Sequence, residues 1–287
     1  MQPPDPFCSV SQIPKRIIHI YSVPEGRPQE LPLVCQAARA NARLLHPDFE
    51  LVLFDRDSMR SFVEREFPQY IDTLSRFALP IQRFDFFRYL AVYRLGGFYF
   101  DLDVFLAKKL DPLLGQQSVF AFEELTLSRH LRETGLDWEL ANFGFGARPG
   151  DPFLAAVIEN CVRGQKDPAW AAQSIASIPS WFRGQFVAPT TTGPGLVSRT
   201  FAENVSLHND ITVLFPQDVC DESTWQRFGN FGVHLMQASW RKRDGFVRSR
   251  LARIWETRER AQLLATSRKL GPKRSGAWKP YGPSPSQ

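Results

Sequence analysis

The stretch from Arg83 to Asp103 constrains the fold of this chain most. Apolar residues between Phe84 and Leu95 fit a helix on which Asp85, Arg88 and Tyr89 lie one turn apart. Gly96-Gly97 closes that helix, since glycine alone enters the left-handed C-cap without strain. Phe98 to Val104 then reads as a strand, with Asp101 and Asp103 at i and i+2 on one face. Phe98, Phe100, Leu102 and Val104 face the other way, into a core. Aspartate is a poor strand former and costly in apolar surroundings unless paired or metal-bound. Two hard oxygen donors on one face hold Mg²⁺ or Mn²⁺ and leave positions open for a phosphate. One reading makes Asp85–Arg88 a surface ion pair and puts the aspartates at an exposed strand end. The other makes one site of the whole string, Arg88 meeting a diphosphate or sugar and Asp85 accepting from hydroxyls.

The elements around this string alternate. Residues 17–21 and 51–54 read as strands, and 33–45, 57–66 and 81–95 as helices. Strands follow at 118–122 and 142–147, then a helix at 152–162. Such alternation predicts an α/β sheet with ligands at strand C-terminal ends. A chain of 287 residues buries one sizeable core. No apolar run has the length of a membrane helix, and the polar, Pro-rich residues 1–12 read as a flexible leader rather than a signal peptide. The expected location is therefore cytoplasmic or peripheral to a membrane. Cys8, Cys35, Cys161 and Cys220 are too scattered for a zinc site and are expected to be reduced, buried and apolar in role.

The charge is uneven. From Arg241 onward there are thirteen Lys/Arg and three Asp/Glu, so the rest of the chain is net negative although the whole is +5. Phe246, Val247, Leu251, Ile254 and Trp255 recur at helical spacing among arginines. Residues 246–268 thus form a basic helical extension, either lying on an anionic membrane or packing Ile254 and Trp255 on the domain. No nucleic-acid reader motif accompanies the charge, so no nucleic-acid partner is expected. Residues 269–287, rich in Pro, Gly and Ser, read as a disordered tail.

The string Asp85-x-x-Arg88-Tyr89, Gly96-Gly97-x-Tyr99, Asp101-x-Asp103 resembles the DXD sugar-binding region of glycosyltransferase family 32. The resemblance extends to residues 13–21 and 46–55, which are similar to the family's first two strands. It continues through Asn142, Thr192-Gly193-Pro194-Gly195 and the segment His234 to Trp240. The family's first strand usually ends in tryptophan, and Tyr21 here is a departure from it. The resemblance implies a GT-A type fold with one central mixed sheet over residues 13–245. It implies a metal-dependent, retaining transfer of a hexose from a UDP- or GDP-sugar to a hydroxyl of a glycan, lipid or small molecule. On this basis Asp103, Asp101 and His234 hold Mn²⁺ or Mg²⁺. His19, Tyr21, Asp85, Arg88, Tyr89, Gly97, Tyr99 and Asp101 bind the donor, and Asn142, Thr192, Gly193 and Trp240 line the sugar or acceptor region. Asp101, Asp103 and Arg88 carry catalysis by neutralising the leaving diphosphate. No carboxylate nucleophile stands out, so front-side attack by the acceptor is the expected route.

Each of these residues has a plainer role open to it. His234 ends a candidate strand and is equally a backbone-bonded histidine, Asn142 a strand-edge amide, and Thr192 to Gly195 a turn opening a helix at Leu196. Phe98 to Val104 also resembles the first motif of haloacid-dehalogenase-type phosphatases, with Asp101 as nucleophile. A non-catalytic carbohydrate-binding relative is the third reading. Because carboxylates kept for function tend to cost stability, removing the charge of Asp85 or of Asp103 is expected to leave melting unchanged.

Overall fold

The structure, a computed structural model, describes residues 11–21, 30–236 and 254–265. Its strands are β1 (Arg16–Ile20), β2 (Glu50–Phe54), β3 (Gly97–Phe100), β4 (Val104–Leu106), β5 (Ser118–Leu125), β6 (Trp138–Ala147), β7 (Ile211–Leu214), β8 (Arg227–Phe228) and β9 (Gly232–His234). Its helices are α1 (Leu33–Leu45), α2 (Arg56–Glu66), α3 (Ile71–Arg76), α4 (Pro80–Leu95), α5 (Arg129–Glu133), α6 (Pro152–Lys166), α7 (Pro168–Gln173), α8 (Val187–Thr191) and α9 (Pro194–Glu203). Residues 254–265 form a further helix, α10.

Six strands make one sheet in the order β2-β1-β3-β6-β5-β7. The β2, β1 and β3 strands run parallel, β6 runs against both β3 and β5, and β5 and β7 are parallel. The expected class, α/β with one central mixed sheet, is therefore the one found. A second sheet, β4-β9-β8, is antiparallel throughout.

Alternation along β3 sorts its side chains between two cores. Tyr99 joins Phe86, Phe87, Phe120, Phe145 and Phe153 on the face covered by α4, α6 and α9. Phe98 and Phe100 join Phe143, Val104 and Phe228 on the other face, beside α1 and β4. Each such aromatic side chain contributes about 1.5–3 kcal/mol on full burial. Leu102 and Val104 are buried as expected.

Local chemistry sets the helix ends. Asp55 caps α2 in a reciprocal pair with Ser58. Asp151 accepts from the Leu154 amide at 2.9 Å and caps α6. The α4 helix has Pro80 in its first turn and stops at Gly96, φ +63°. From Asp85 to Val92 it is buried on all sides, so the polar groups it carries must find partners inside the protein.

One expectation changes here. Asp101 and Asp103 do not lie on a continuous strand. The chain turns between β3 and β4, closed by the Val104 amide donating to the Asp101 carbonyl at 3.1 Å, and passes from one sheet into the other. A strand reading extends the alternation through a turn that apolar periodicity does not register.

Candidate active site

The turn sends its two aspartates to different neighbours. Asp101 keeps the Tyr99 face of β3 and meets α4. Tyr99 Oη donates to Asp101 Oδ1 at 2.5 Å, and Arg88 Nη1 stands 3.2 Å from the same oxygen. Among the described residues the other oxygen of Asp101 has no protein partner. Asp103 faces β9, where His234 Nε2 lies 3.1 Å from its Oδ1. The Leu235 amide donates to the Asp103 carbonyl at 3.0 Å, which fixes the end of β9 against the turn. His234 stacks on Phe143 with centroids 4.5 Å apart, and its Nδ1 is buried without a partner among the described residues. Asp101, Asp103 and His234 each offer one ligand atom within 4.8 Å of the others. Two carboxylates and an imidazole, all partly accessible, suit Mn²⁺ or Mg²⁺ and leave room for further oxygen ligands.

Beneath the turn lies a buried polar network, in which Arg88 Nε has no partner among the described residues. Arg88 Nη2 is 3.0 Å from Asp85 Oδ1, and Arg88 Nη1 donates to the Asn142 carbonyl at 2.8 Å. Asn142 Nδ2 donates to Asp85 Oδ1 at 3.1 Å and to Tyr89 Oη at 3.2 Å. Thr192 Oγ1 donates to Asp85 Oδ2 at 2.9 Å, and Tyr89 Oη donates to the Thr192 carbonyl at 2.6 Å. The guanidinium also lies 4.6 Å from the Tyr99 ring centroid. Burial works against the Arg88 charge, but the Asp101 and Asp85 carboxylates outweigh it and hold the group above its ordinary value. Burial likewise pushes the Asp85 carboxyl up, with Arg88 and Thr192 pulling it back. The Tyr89 and Tyr99 hydroxyls are driven well up by burial and stay neutral donors.

The structure thus brings together Asp85, Arg88, Tyr89, Tyr99, Asp101, Asp103, Asn142, Thr192 and His234. Both oxygens of Asp85 already accept from protein groups, and Asp85 is 4% exposed. Its direct work is to hold Arg88. Gly97 does not join the cluster. It opens β3, four residues from Asp101 and so about 13 Å away along a strand, at φ +107° where a Cβ would come within 2.8 Å of the Arg16 carbonyl. Glycine is needed there for backbone geometry. Gly193 precedes α9, packed so closely on Pro189 that a Cβ would lie 2.8 Å from its Cα. Tyr21 directs its hydroxyl to the Glu30 carbonyl at 2.9 Å. His19 is buried at the end of β1, its Nδ1 2.9 Å from the Phe100 carbonyl. Burial, opposed by that bond and assisted by Arg39, pushes its pKa down to about 4. Trp240 lies outside the described residues. Of the cysteines, Cys161 is buried as expected, while Cys35 and Cys220 are half-buried.

The α10 helix also has a settled place. Trp255 packs on Phe182 with centroids 5.6 Å apart, and Leu263 and Leu264 join Phe122, Leu125 and Trp225. Arg260 Nη2 pairs with Glu124 Oε2 at 2.6 Å. Ile254, expected to pack alongside Trp255, is exposed. Among the described residues no helix is long and apolar enough to cross a membrane.

Sequence reasoning missed Arg39. It lies on α1 amid Ala38, Ala40 and Ala42, where an isolated arginine reads as a solvated surface residue. Ala38 and Ala42 beside it are buried, which only the structure shows.

Residues 32–120 match the family model described as a glycosyltransferase sugar-binding region containing a DXD motif. Inositol phosphoceramide mannosyltransferase 3 of Schizosaccharomyces pombe is 33% identical over 134 residues, 47% of this chain and 34% of that protein. Mannosyl phosphorylinositol ceramide synthase CSH1 of Saccharomyces cerevisiae is 27% identical over 229 residues, 76% of this chain and 53% of that one. The chain thus spans from about a third to about half of these relatives. Among solved structures, PaToxG glycosyltransferase is similar at a TM-score of 0.45 and 12% identity, over 69% of this chain and 72% of its own. The UDP-bound glycosyltransferase domain of the YGT toxin is similar at 0.40 and 8%, over 71% and 80%. The motif residues from Asp85 to Asp103, gathered at one end of the sheet, fall within the stretch that is similar to the glycosyltransferase sugar-binding region containing the DXD motif.

Proposed function

We propose that this chain is a metal-dependent, retaining hexosyltransferase of the GT-A type. It moves a sugar from a nucleoside-diphosphate donor to a hydroxyl of a glycan, lipid or small molecule. One observation carries the reading: Asp101, Asp103 and His234 converge beside a buried, permanently charged Arg88. Cleaving a sugar–diphosphate bond builds negative charge on the leaving group, and fixed positive charge there lowers the barrier. A bound Mn²⁺ or Mg²⁺ would supply most of that charge.

The chain's own residues do the positioning. Tyr99 and Arg88 fix one oxygen of Asp101 and leave the other for the metal. Asp85, Asn142 and Thr192 hold Arg88 from the opposite side. In this arrangement Asp85 and Tyr89 serve the donor through Arg88. Both Asp85 oxygens are engaged, so it is no nucleophile for a double displacement, which supports front-side attack. The phosphatase reading gains nothing, since Tyr99 and Arg88 hold one Asp101 oxygen and the ligand set with Asp103 and His234 would take the other. The relatives' names make mannose the first donor sugar to try, and an inositol-phosphate-bearing lipid the first acceptor. Trp255, Leu263 and Leu264 of the basic extension face the domain, which supports packing over lipid contact for residues 254–265. Residues 246–253 and 266–268 lie outside the described residues.

The test is a thermal-shift panel of UDP, GDP, CDP and their sugars with and without Mn²⁺. A ligand at about 100 times its dissociation constant stabilises by roughly 2.7 kcal/mol. Donor hydrolysis that is abolished by EDTA and restored by Mn²⁺ completes the case. Full activity in excess chelator overturns the metal role.

A further inference from the structure

We infer that Arg39 is a second cation of the donor site and contacts the diphosphate of the nucleotide sugar from the α1 side. This rests on the reading of the site as a nucleotide-sugar site. Two independent features of the structure lead to it.

The first is Arg39 itself. Its Nε is buried with no hydrogen-bond partner, and no carboxylate pairs with it among the described residues. A half-buried guanidinium usually finds a carboxylate or a row of carbonyls, because its five donors are costly to leave unmet. Arg199 shows the usual outcome in this same chain. It donates to Glu203, to the Trp170 carbonyl and to Gln173. Among the described residues Arg39 has nothing comparable, so a ligand is its natural acceptor.

The second is its neighbour, His19. The Nδ1 of that ring faces the Phe100 carbonyl, which can only accept, so Nδ1 carries the proton. Nε2 is then a bare acceptor, and it too is buried with no partner among the described residues. A donor and an acceptor therefore stand unmet together, next to the residue that precedes Asp101. The ligand they call for carries anionic oxygens beside a hydroxyl or N–H. A nucleoside diphosphate has both.

Their position agrees. The α1 helix packs on β4, with Asn41 bonded both ways to Leu106. One turn before Arg39, Cys35 feels the charge of Asp103. Arg39 thus sits on the α1 side of the turn while Arg88 approaches from α4. Two cations would flank the leaving group from opposite faces of the sheet.

The experiment is calorimetric titration of the full chain with UDP and GDP, with and without Mn²⁺, at several salt concentrations. Arg39→Gln should weaken binding by about tenfold or more, the loss expected for a charged hydrogen bond. The loss should persist without Mn²⁺, and the salt dependence of affinity should flatten. Arg39→Lys, which keeps the charge, should recover part of both. Unchanged affinity in Arg39→Gln overturns the inference while leaving the nucleotide-site reading intact. So does a loss with unaltered salt dependence, which marks a packing role. A parent chain that binds neither nucleotide overturns the site reading, and Arg39's role with it.

Discussion

Asp85 and Asp103 are the same residue eighteen positions apart, yet their surroundings differ in kind. Asp85 is 4% exposed, and its oxygens meet Arg88, Asn142 and Thr192. The Asp103 side chain keeps 15% exposure, and the Asp101 side chain keeps 28%. In the first network both Asp85 oxygens are met as the protein folds, and Arg88 Nε alone of its guanidinium nitrogens lacks a partner among the described residues. The second is a set of donors brought together and left partly open. A buried ion pair contributes to stability mainly when breaking it would strand a charge. An open acidic cluster contributes to binding, since mutual repulsion among its carboxylates is relieved only by a cation. On the proposed function, the difference separates holding the site from performing its chemistry, and it is measurable.

Arg88→Met should give the largest effect. It strands Asp85 in the core and removes a partner of Asp101, so a loss of about 3–5 kcal/mol is expected in urea unfolding. A midpoint near the parent's would show that the network does not hold the fold. Asp103→Asn should do the reverse. Turnover should fall at least about 10²-fold, roughly 2.7 kcal/mol of transition-state stabilisation, with nucleotide affinity reduced only when Mn²⁺ is present. Its stability should stay within about 0.5 kcal/mol of the parent. If it unfolds early, the two regions are not separable.

Asp85→Asn sharpens the contrast. An amide keeps one acceptor oxygen and presents donors to a site full of donors. A stability loss of about 1–3 kcal/mol is expected, with Mn²⁺-dependent diphosphate affinity close to the parent's. Equal dispensability of the two acids for stability, expected from sequence alone, therefore gives way to a difference. Loss of affinity without loss of stability would move Asp85 from the supporting network to the ligand.

The smallest effect comes from a carboxylate outside both regions. Glu139, on β6 three residues before Asn142, is pushed up to about 7 by burial and by Glu124. Its folded value lies above its ordinary 4.5, so the folded chain binds that proton more tightly. The stability it contributes is full below about 4.5 and is lost as pH rises through about 7. Glu139→Gln should flatten that decline in a series of unfolding curves. An unaltered slope would place the titration elsewhere, with Asp151, held up to about 6 by burial, the next group to replace.

Much of this was legible in the residues. The α1 helix was expected over 33–45 and found there, because an amphipathic stripe is a local property. The α4 helix and its glycine stop, β1, β2 and the start of β5 were also readable from periodicity and turn residues. The β6 strand began four residues earlier than expected, since Trp138 to Ala141 carry no clear alternation until β5 lies beside them. Gly97 was assigned to the site through its place in the motif, although what it satisfies is a close backbone approach at the far end of β3. Arg39 went unnoticed because an arginine among alanines has no signature.

The sequence by itself determined which residue types the site would use, since the spacing of Asp85, Arg88, Asp101 and Asp103 lies within one helix and the turn that follows. Which of them are closed and which stay open was decided by tertiary structure. Asn142 reaches Asp85 across 57 positions, and Thr192 reaches it across 107. His234 arrives at Asp103 through a strand of the second sheet. A carboxylate's chemistry depends on how many donors and how much water surround it. Those neighbours come from chain segments that only the folded sheet places side by side.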